Sequence, residues 1–354
     1  MPDGIISPSA PPPTQNAPSI LLVGATGYVG GTVLAHLLTS PHPLLQTASI
    51  SVLVRGAASR IALLERTYAP RLHGIPFTDL DDAPLIERLS AQHDVVVNAA
   101  SGFHVASALA MVRGLAARRA RTGREVYMVH TSGCSNIADR PLTGSTLPLQ
   151  EWDDAAPEEV FAFLRAQNER EWYVQRACEI GVLEASEDAG VKAVSIQAPC
   201  IYGAGKGLFR RVGVVLPVMM DFVLSRGYGF VVGDGTGDYD IVHVSDLADL
   251  YARVLLNMLS LGGKDLGTGR RGVVFASTGR VLVRDIAQGC VDAAFAAGAL
   301  PLEGGPREKE VRVVELAEAA TTVAGTWALR RQGGRGIRRR GRRWGRGSVE
   351  AGAR

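Results

Sequence analysis

Three glycines spaced three apart, Gly24, Gly27 and Gly30, frame the segment Gly24-Ala25-Thr26-Gly27-Tyr28-Val29-Gly30. Before it stands a continuous apolar run, Ile20-Leu21-Leu22-Val23; after it, Val29, Val33, Leu34, Leu37 and Leu38 fall on one stripe. The run has the pattern of a strand buried on both faces, and the stripe that of an amphipathic helix. A chain that turns from strand to helix in so few residues favours backbone without Cβ atoms. The helix then offers unpaired N–H groups and the positive end of its dipole, which together receive phosphate. The chemistry this spacing serves is the cradling of a pyrophosphate, and its placement makes a plain tight turn the weaker reading.

Such a cradle needs a sheet to hold it. Apolar strand patterns recur at Ile50–Val54, Ile75–Phe77, Asp94–Asn98, Val126–Val129 and Ala193–Ile196. Helical patterns separate them at 61–68, 83–89, 105–121 and 158–189. The alternation predicts an α/β fold, a doubly wound parallel (Rossmann) sheet covered on both faces. Beyond Pro199 the pattern loosens into glycine-bearing loops. One strand (Ile241–Val244), one amphipathic helix (Asp246–Leu259) and a helix candidate at 281–297 remain. The expected organisation is a proline-rich leader (1–18), a nucleotide-binding domain (19–200), a small C-terminal substrate lobe interleaved with the sheet (201–327, with 241–260 returning to the nucleotide-binding part) and an Arg/Gly tail (328–354).

Hydrophobic residues make up 46% and charged residues 21% of the 354, which excludes a wholly disordered or fibrous chain. The apolar segment Val212–Val232 is interrupted by Pro217, Asp221 and Arg226, so no membrane span is expected. The formal charge of +3 hides an asymmetry. Residues 328–354 hold ten arginines and one acid, leaving the body with 28 basic and 34 acidic residues. A mildly acidic body gives no reason to expect nucleic acid there. The tail reads as disorder or a shifted reading frame rather than an Arg/Gly arm for nucleic acid or acidic lipid. Cys134, Cys178, Cys200 and Cys290 have no metal-ligand spacing. They read as free thiols of a reducing, cytoplasmic setting, and no metal is expected.

The glycine segment resembles that of the extended and atypical short-chain dehydrogenase/reductases, the NAD(P)-binding epimerase/dehydratase group. Further segments match in order. Thr78-Asp79-Leu80 resembles the family's adenine-contacting Asp-Leu, and Asn98-Ala99-Ala100-Ser101-Gly102 its Asn-Ala-Ala-Gly. Ala198-Pro199-Cys200-Ile201-Tyr202-Gly203 resembles its Arg-Pro-x-x-x-Tyr-Gly, with Gln197 where arginine is usual. Val232–Gly235 and Ile241–Ala248 resemble its Gly-Asp-Gly and Val-His-Val-Asp-Asp-Leu-Ala segments. The resemblance implies cofactor contacts from Gly24, Thr26, Gly27, Tyr28, Val29, Gly30, Asp79, Leu80, Ala99, Ala100, Ser101 and Pro199.

An acid at the end of strand two favours a free ribose 2′-hydroxyl and an arginine a 2′-phosphate. Here the strand ends Leu53-Val54-Arg55-Gly56 with no acid nearby. The Arg55 fork suits phosphate, so NADP(H) is expected before NAD(H), although a solvated surface arginine is the bland reading.

Active members of the family use Ser or Thr after strand five and Tyr-x-x-x-Lys on the next long helix. The resemblance therefore implies that Ser132, or Thr131 beside it, fills the hydroxyl role and that Tyr173 passes the proton. Ala177 occupies the lysine's position, and Arg176 is the nearest cation. On a continuous helix Arg176 would share a face with Tyr173 and could hold the ribose. Surface positions for Tyr173 and Arg176, and a loop-capping Ser132, are the competing readings. His243 reads as structural and Cys200 as a packed thiol. The expected function is an NAD(P)-dependent oxidoreductase or epimerase/dehydratase-like enzyme acting on a carbonyl or hydroxyl of a small organic substrate. The alternative is a non-catalytic NAD(P)-sensing regulatory protein, favoured by the missing lysine. Substrate identity and oligomeric state stay open.

Overall fold

A computed structural model describes residues 17–139, 147 and 150–322. Most of the proline-rich leader and the whole region from 323 on, including the Arg/Gly tail, lie outside the described residues. In chain order the elements are β1 (Ser19–Val23), α1 (Tyr28–Thr39), α2 (Pro43–Thr47), β2 (Ser49–Arg55), α3 (Ala58–Tyr68), β3 (Leu72–Phe77), α4 (Ala83–Ser90), β4 (Val95–Asn98), α5 (Val105–Thr122) and β5 (Tyr127–Gly133). A 3-10 turn (Cys134–Ile137) follows, then α6 (Pro157–Arg170), α7 (Val174–Asp188), β6 (Lys192–Ala198), β7 (Cys200–Tyr202), α8 (Val215–Arg226), β8 (Gly229–Val232) and β9 (Asp238–His243). The chain continues through α9 (Val244–Leu261), β10 (Val273–Phe275), β11 (Gly279–Leu282), α10 (Val283–Ala296), β12 (Val311–Val314) and α11 (Leu316–Thr322).

Seven parallel strands form the main sheet in the order β10-β6-β5-β4-β1-β2-β3. The winding reverses between β1 and β4, and the crevice above that switch point is where open α/β sheets bind ligands. The continuous apolar strands have the burial expected of a two-sided sheet. Ile20 and Leu22 of β1 join Val95 and Val97 of β4 in the core beneath α1 and α9. Leu21, Val23 and Val96 face the other way, beneath α4, α5 and α7. Each such side chain contributes roughly 1.5–3 kcal/mol of burial. In α9, Leu247, Leu250, Tyr251, Val254, Leu255 and Met258 are all buried, the stripe the sequence foretells.

Three features depart from expectation. The 158–189 stretch is two helices broken at 171–173, not one. The chain from the lobe returns to the main sheet as β10, beside β6. The lobe also contains α8, β8 and β12, which were not foreseen. Pro217 sits in the first turn of α8, where its missing N–H costs nothing. Among the described residues, no helix is long and apolar enough to cross a membrane, and no cluster of His, Cys, Asp or Glu could hold a metal.

Candidate active site

The glycine turn leaves β1 at the switch point. Gly24 has φ +100°, and a Cβ there would lie 2.5 Å from Ala99 O, on the loop that follows β4. A Cβ on Gly30 would collide with Gly24 O, so Gly30 lets α1 close onto the turn. Gly27 is the N-cap of α1; a Cβ there would have Gly24 O at 3.1 Å as its nearest contact. No side chain caps this helix and its first turn holds no acid. The first amides and the dipole end therefore remain available for an anion. Tyr28 reaches from this turn to the lobe, donating to Gly203 O at 2.6 Å, and burial raises its hydroxyl to about 12.

Alongside, Val23 of β1, Asn98 of β4 and His130 of β5 stand in one register row. Ala99 N donates to Val23 O at 2.9 Å. The Asn98 amide shapes the next residues: Oδ1 accepts from Ala100 N at 3.2 Å, and Nδ2 reaches Ser101 O at 3.3 Å. His130 Nδ1 lies 3.1 Å from Asn98 Nδ2. Because the amide donates, the ring accepts through Nδ1 and is neutral. Complete burial lowers its pKa to about 4. The expected cofactor loop at Ala99, Ala100 and Ser101 thus sits against the glycine turn, held by a polar pair that sequence reasoning passed over.

Arg55 closes β2 and is exposed. Asp79 and Leu80 follow β3, and the Asp79 carboxylate accepts from Asp81 N at 2.9 Å. Pro199 links β6 to β7. The cofactor candidates therefore collect along the C-terminal edge of the main sheet, as a dinucleotide laid across the switch point requires. The uncapped α1 and the glycine cradle fit its pyrophosphate.

The catalytic candidates are placed less simply. Tyr173 is the N-cap of α7, with φ −139° and ψ 120°, rather than part of a helix reaching back to 158. Its hydroxyl lies 3.3 Å from Ser135 Oγ and donates to Gln175 Oε1 at 3.2 Å. Ser135 Oγ donates to the same amide oxygen. Ser135 lies on the 3-10 turn after β5 and is half-buried, whereas Ser132 is buried. Phe103 stands edge-on to the Tyr173 ring with centroids 6.2 Å apart, and neighbouring Trp172 is exposed.

Ser132 faces inward instead. Asn136 Nδ2 donates to its Oγ at 3.0 Å and to Glu179 Oε2 at 2.5 Å. Ser195 Oγ and Gln197 Nε2 also donate to Glu179, at 2.6 and 2.8 Å. Burial pushes the Glu179 carboxyl up, while hydrogen bonds from Ser195, Asn136, Gln197 and Ser132 pull against that rise. Ser132 therefore belongs to an internal cluster tying α7 to β5 and β6.

Arg176 also departs from its expected place. It is fully buried, with Nε donating to Asn136 O at 2.9 Å and Nη1 to Gln167 O and Glu171 O at 3.2 and 3.1 Å. The physical reason is the break before α7. Arg176 falls in the first turn of a new helix, and its fork satisfies carbonyls at the end of α6 and on the 3-10 turn. A ribose contact from this side chain is not what the geometry provides. Burial raises Cys200 to about 11, in keeping with a packed thiol. His243 caps α9 through Nδ1, in keeping with a structural histidine.

Ser135 was missed because the family pattern directs attention to the residues directly after the strand. Its one signal was a hydroxyl three residues beyond Ser132, on the turn that faces Tyr173.

Comparison with known proteins bears on the family and the fold. The sequence model of the NAD dependent epimerase/dehydratase family matches residues 20–265. The chain is 28% identical over 314 residues to oxidase ucsJ of an Acremonium species, covering 85% of this chain and 84% of that protein. DesIV, the dTDP-glucose 4,6-dehydratase of Streptomyces venezuelae solved with NAD and TYD, superposes with TM-score 0.58 at 15% identity, covering 90% and 88% of the two chains. Vestitone reductase from alfalfa superposes with TM-score 0.51 at 16% identity, covering 86% and 92%. With the family pattern running through β1 to α9 and the cradle at the switch point, the chain belongs to the NAD dependent epimerase/dehydratase family.

Proposed function

We propose that the chain is an NADP(H)-preferring enzyme that reduces a carbonyl, or performs a related oxidoreductive step, on a small organic substrate held between the sheet edge and the lobe. The observation that carries this reading is the hydroxyl pair of Tyr173 and Ser135, joined through Gln175 Oε1. When bound, the cofactor supplies hydride exchange. The glycine turn and the first amides of α1 hold its pyrophosphate, the Ala99–Ser101 loop packs along it, and Arg55 receives the 2′-phosphate. Tyr173 holds a proton for the substrate oxygen and Ser135 offers that oxygen a second hydrogen bond. With Ala177 in the lysine's place, a neutral amide orients the two hydroxyls. That arrangement suits donation of a proton to an oxygen gaining charge.

Ser132 supports this site through Asn136 rather than touching substrate, and Arg176 fixes the turn that carries Ser135. The hydroxyl pair also weighs against the sensing alternative, since binding alone has no use for it. The four cysteines are all free and buried, which supports a reducing, cytoplasmic setting. The test is NADPH oxidation dependent on added substrate, surveyed across carbonyl compounds and nucleotide sugars. Substrate-dependent oxidation that is lost in Ser135→Ala supports the reading; oxidation unaffected by that change contradicts the assigned pair.

A further inference from the structure

The segment from Ser49 to Leu64, which forms β2 and begins α3, contains two cations, Arg55 and Arg60, and no acid. Both arginines are exposed. Elsewhere on the body arginines pair with carboxylates, as Arg113 does with Glu87, Arg118 with Asp94 and Arg253 with Asp249. Among the described residues neither Arg55 nor Arg60 has such a partner. Arg60 does not trail into solvent. Its Nη1 lies 3.9 Å from where a Cβ on Gly56 would stand, so the guanidinium folds back toward the end of β2. Its Cζ sits 5.6 Å from the ring centroid of Phe209.

Phe209 comes from the loop after β7, and that loop is fastened where it crosses α1. Lys206 N donates to Thr32 Oγ1 at 3.1 Å, and a Cβ on Gly207 would stand 2.9 Å from Gly31 Cα. Gly205 and Arg211 close the loop's neck, with Gly205 N donating to Arg211 O and Arg211 Nε to Gly205 O, both at 2.8 Å. Phe209 packs against the same core as Val29 and Ile61. A guanidinium over a ring keeps its edge donors free while its plane is fixed, which lowers the ordering cost of binding an anion.

We infer that Arg60, held by Phe209, is the second cation of a 2′-phosphate clamp with Arg55, so that a loop of the C-terminal lobe helps choose the cofactor. The inference rests on the NADP(H) reading above and adds Arg60 and Phe209 to it. Arg55 approaches from the strand end and Arg60 from the first turn of α3. A dianionic phosphate between them meets two planar forks.

The experiment is a titration of NADPH and NADH into the full chain, followed by nucleotide fluorescence, with 2′,5′-ADP and 5′-ADP as competing probes. The parent is expected to bind NADPH at least about tenfold more tightly than NADH, and 2′,5′-ADP more tightly than 5′-ADP. Arg60→Ala should lower NADPH affinity about tenfold and leave NADH unchanged. Arg60→Lys should recover part of the loss, and Phe209→Leu should weaken NADPH severalfold without affecting NADH. If Arg55→Asp reverses the preference while Arg60→Ala and Phe209→Leu leave it intact, the clamp is overturned and Arg55 acts alone. Equal affinities in the parent overturn both the clamp and the NADP(H) reading. A parent that binds neither nucleotide overturns the cofactor assignment itself.

Discussion

The Tyr173 hydroxyl and the Ser135 hydroxyl lie 3.3 Å apart and share one acceptor, Gln175 Oε1, although 38 residues separate them in the chain. The contact exists because β5 runs into a 3-10 turn just where α7 begins. It separates Ser135 from Ser132, the serine to which the sequence pattern points. Ser135→Ala is expected to lower turnover by about 10²-fold or more with little change in melting temperature. Ser132→Ala is expected to cost about 1–3 kcal/mol of stability, because Glu179 loses a donor and Asn136 an acceptor. Thermal melts and turnover of the two variants check this. The reverse pattern would restore Ser132 as the substrate-facing hydroxyl.

Arg176 gives a second separation. Its three contacts to backbone carbonyls and its complete burial predict a structural loss in Arg176→Ala, about 3 kcal/mol or more. NADPH affinity, measured at a temperature where the variant is folded, should match the parent. An unchanged melting temperature with weakened NADPH binding would place the side chain in the cleft after all.

The contrast between these residues shows what was legible beforehand. β1, β4 and α9 could be read because a two-sided strand and a one-sided helix write their burial into the order of residues, at Ile20–Val23, Val95–Val97 and Leu247–Met258. The cradle could be read because Gly24 and Gly30 are required by close approach. The break at 171–173 could not. Glu171, Trp172 and Tyr173 carry no proline or glycine, and local side-chain bonds hold the break instead: Tyr173 N donates to Asn168 Oδ1 and Arg176 Nη1 to Glu171 O. On a continuous helix Arg176 would share a face with Tyr173; in the first turn of a new helix it turns inward to the carbonyls of Asn136, Gln167 and Glu171. β10 escaped notice because three residues at a sheet edge carry too little pattern to register.

The glycine turn offers a steric test. Gly27→Val should keep the fold and abolish cofactor binding, since its Cβ meets only Gly24 O and the branched side chain projects from the N-terminus of α1. Gly30→Ala should destabilise the protein itself, because its Cβ would run into Gly24 O inside the turn. Circular dichroism with a cofactor titration separates the two effects. Cofactor binding undiminished in Gly27→Val would remove the pyrophosphate from this turn.

His130 sets a pH dependence. Its folded pKa is lowered to about 4 from an ordinary 6.5 by burial, so between these values the unfolded chain binds a proton that the folded one does not. Stability is therefore expected to rise from about pH 4 to about 6.5, and to fall by about 3 kcal/mol on acidification through that window. His36 and His93 are shifted downward too, chiefly by burial, and add to the slope. Denaturant melts of His130→Gln across this range should show a shallower dependence than the parent. An identical slope would mean that His130 titrates alike in the folded and unfolded chain.

The most direct test of the account is the Tyr173→Phe enzyme, compared with the parent on any carbonyl substrate that supports NADPH oxidation. Tyr173 is buried and the change removes only the hydroxyl, so ring packing against Phe103 survives. The account predicts a fall in kcat of about 10²–10⁴-fold with NADPH affinity unchanged. A variant that turns over at the parent's rate would contradict it, and would show that the proton reaches the substrate by another route.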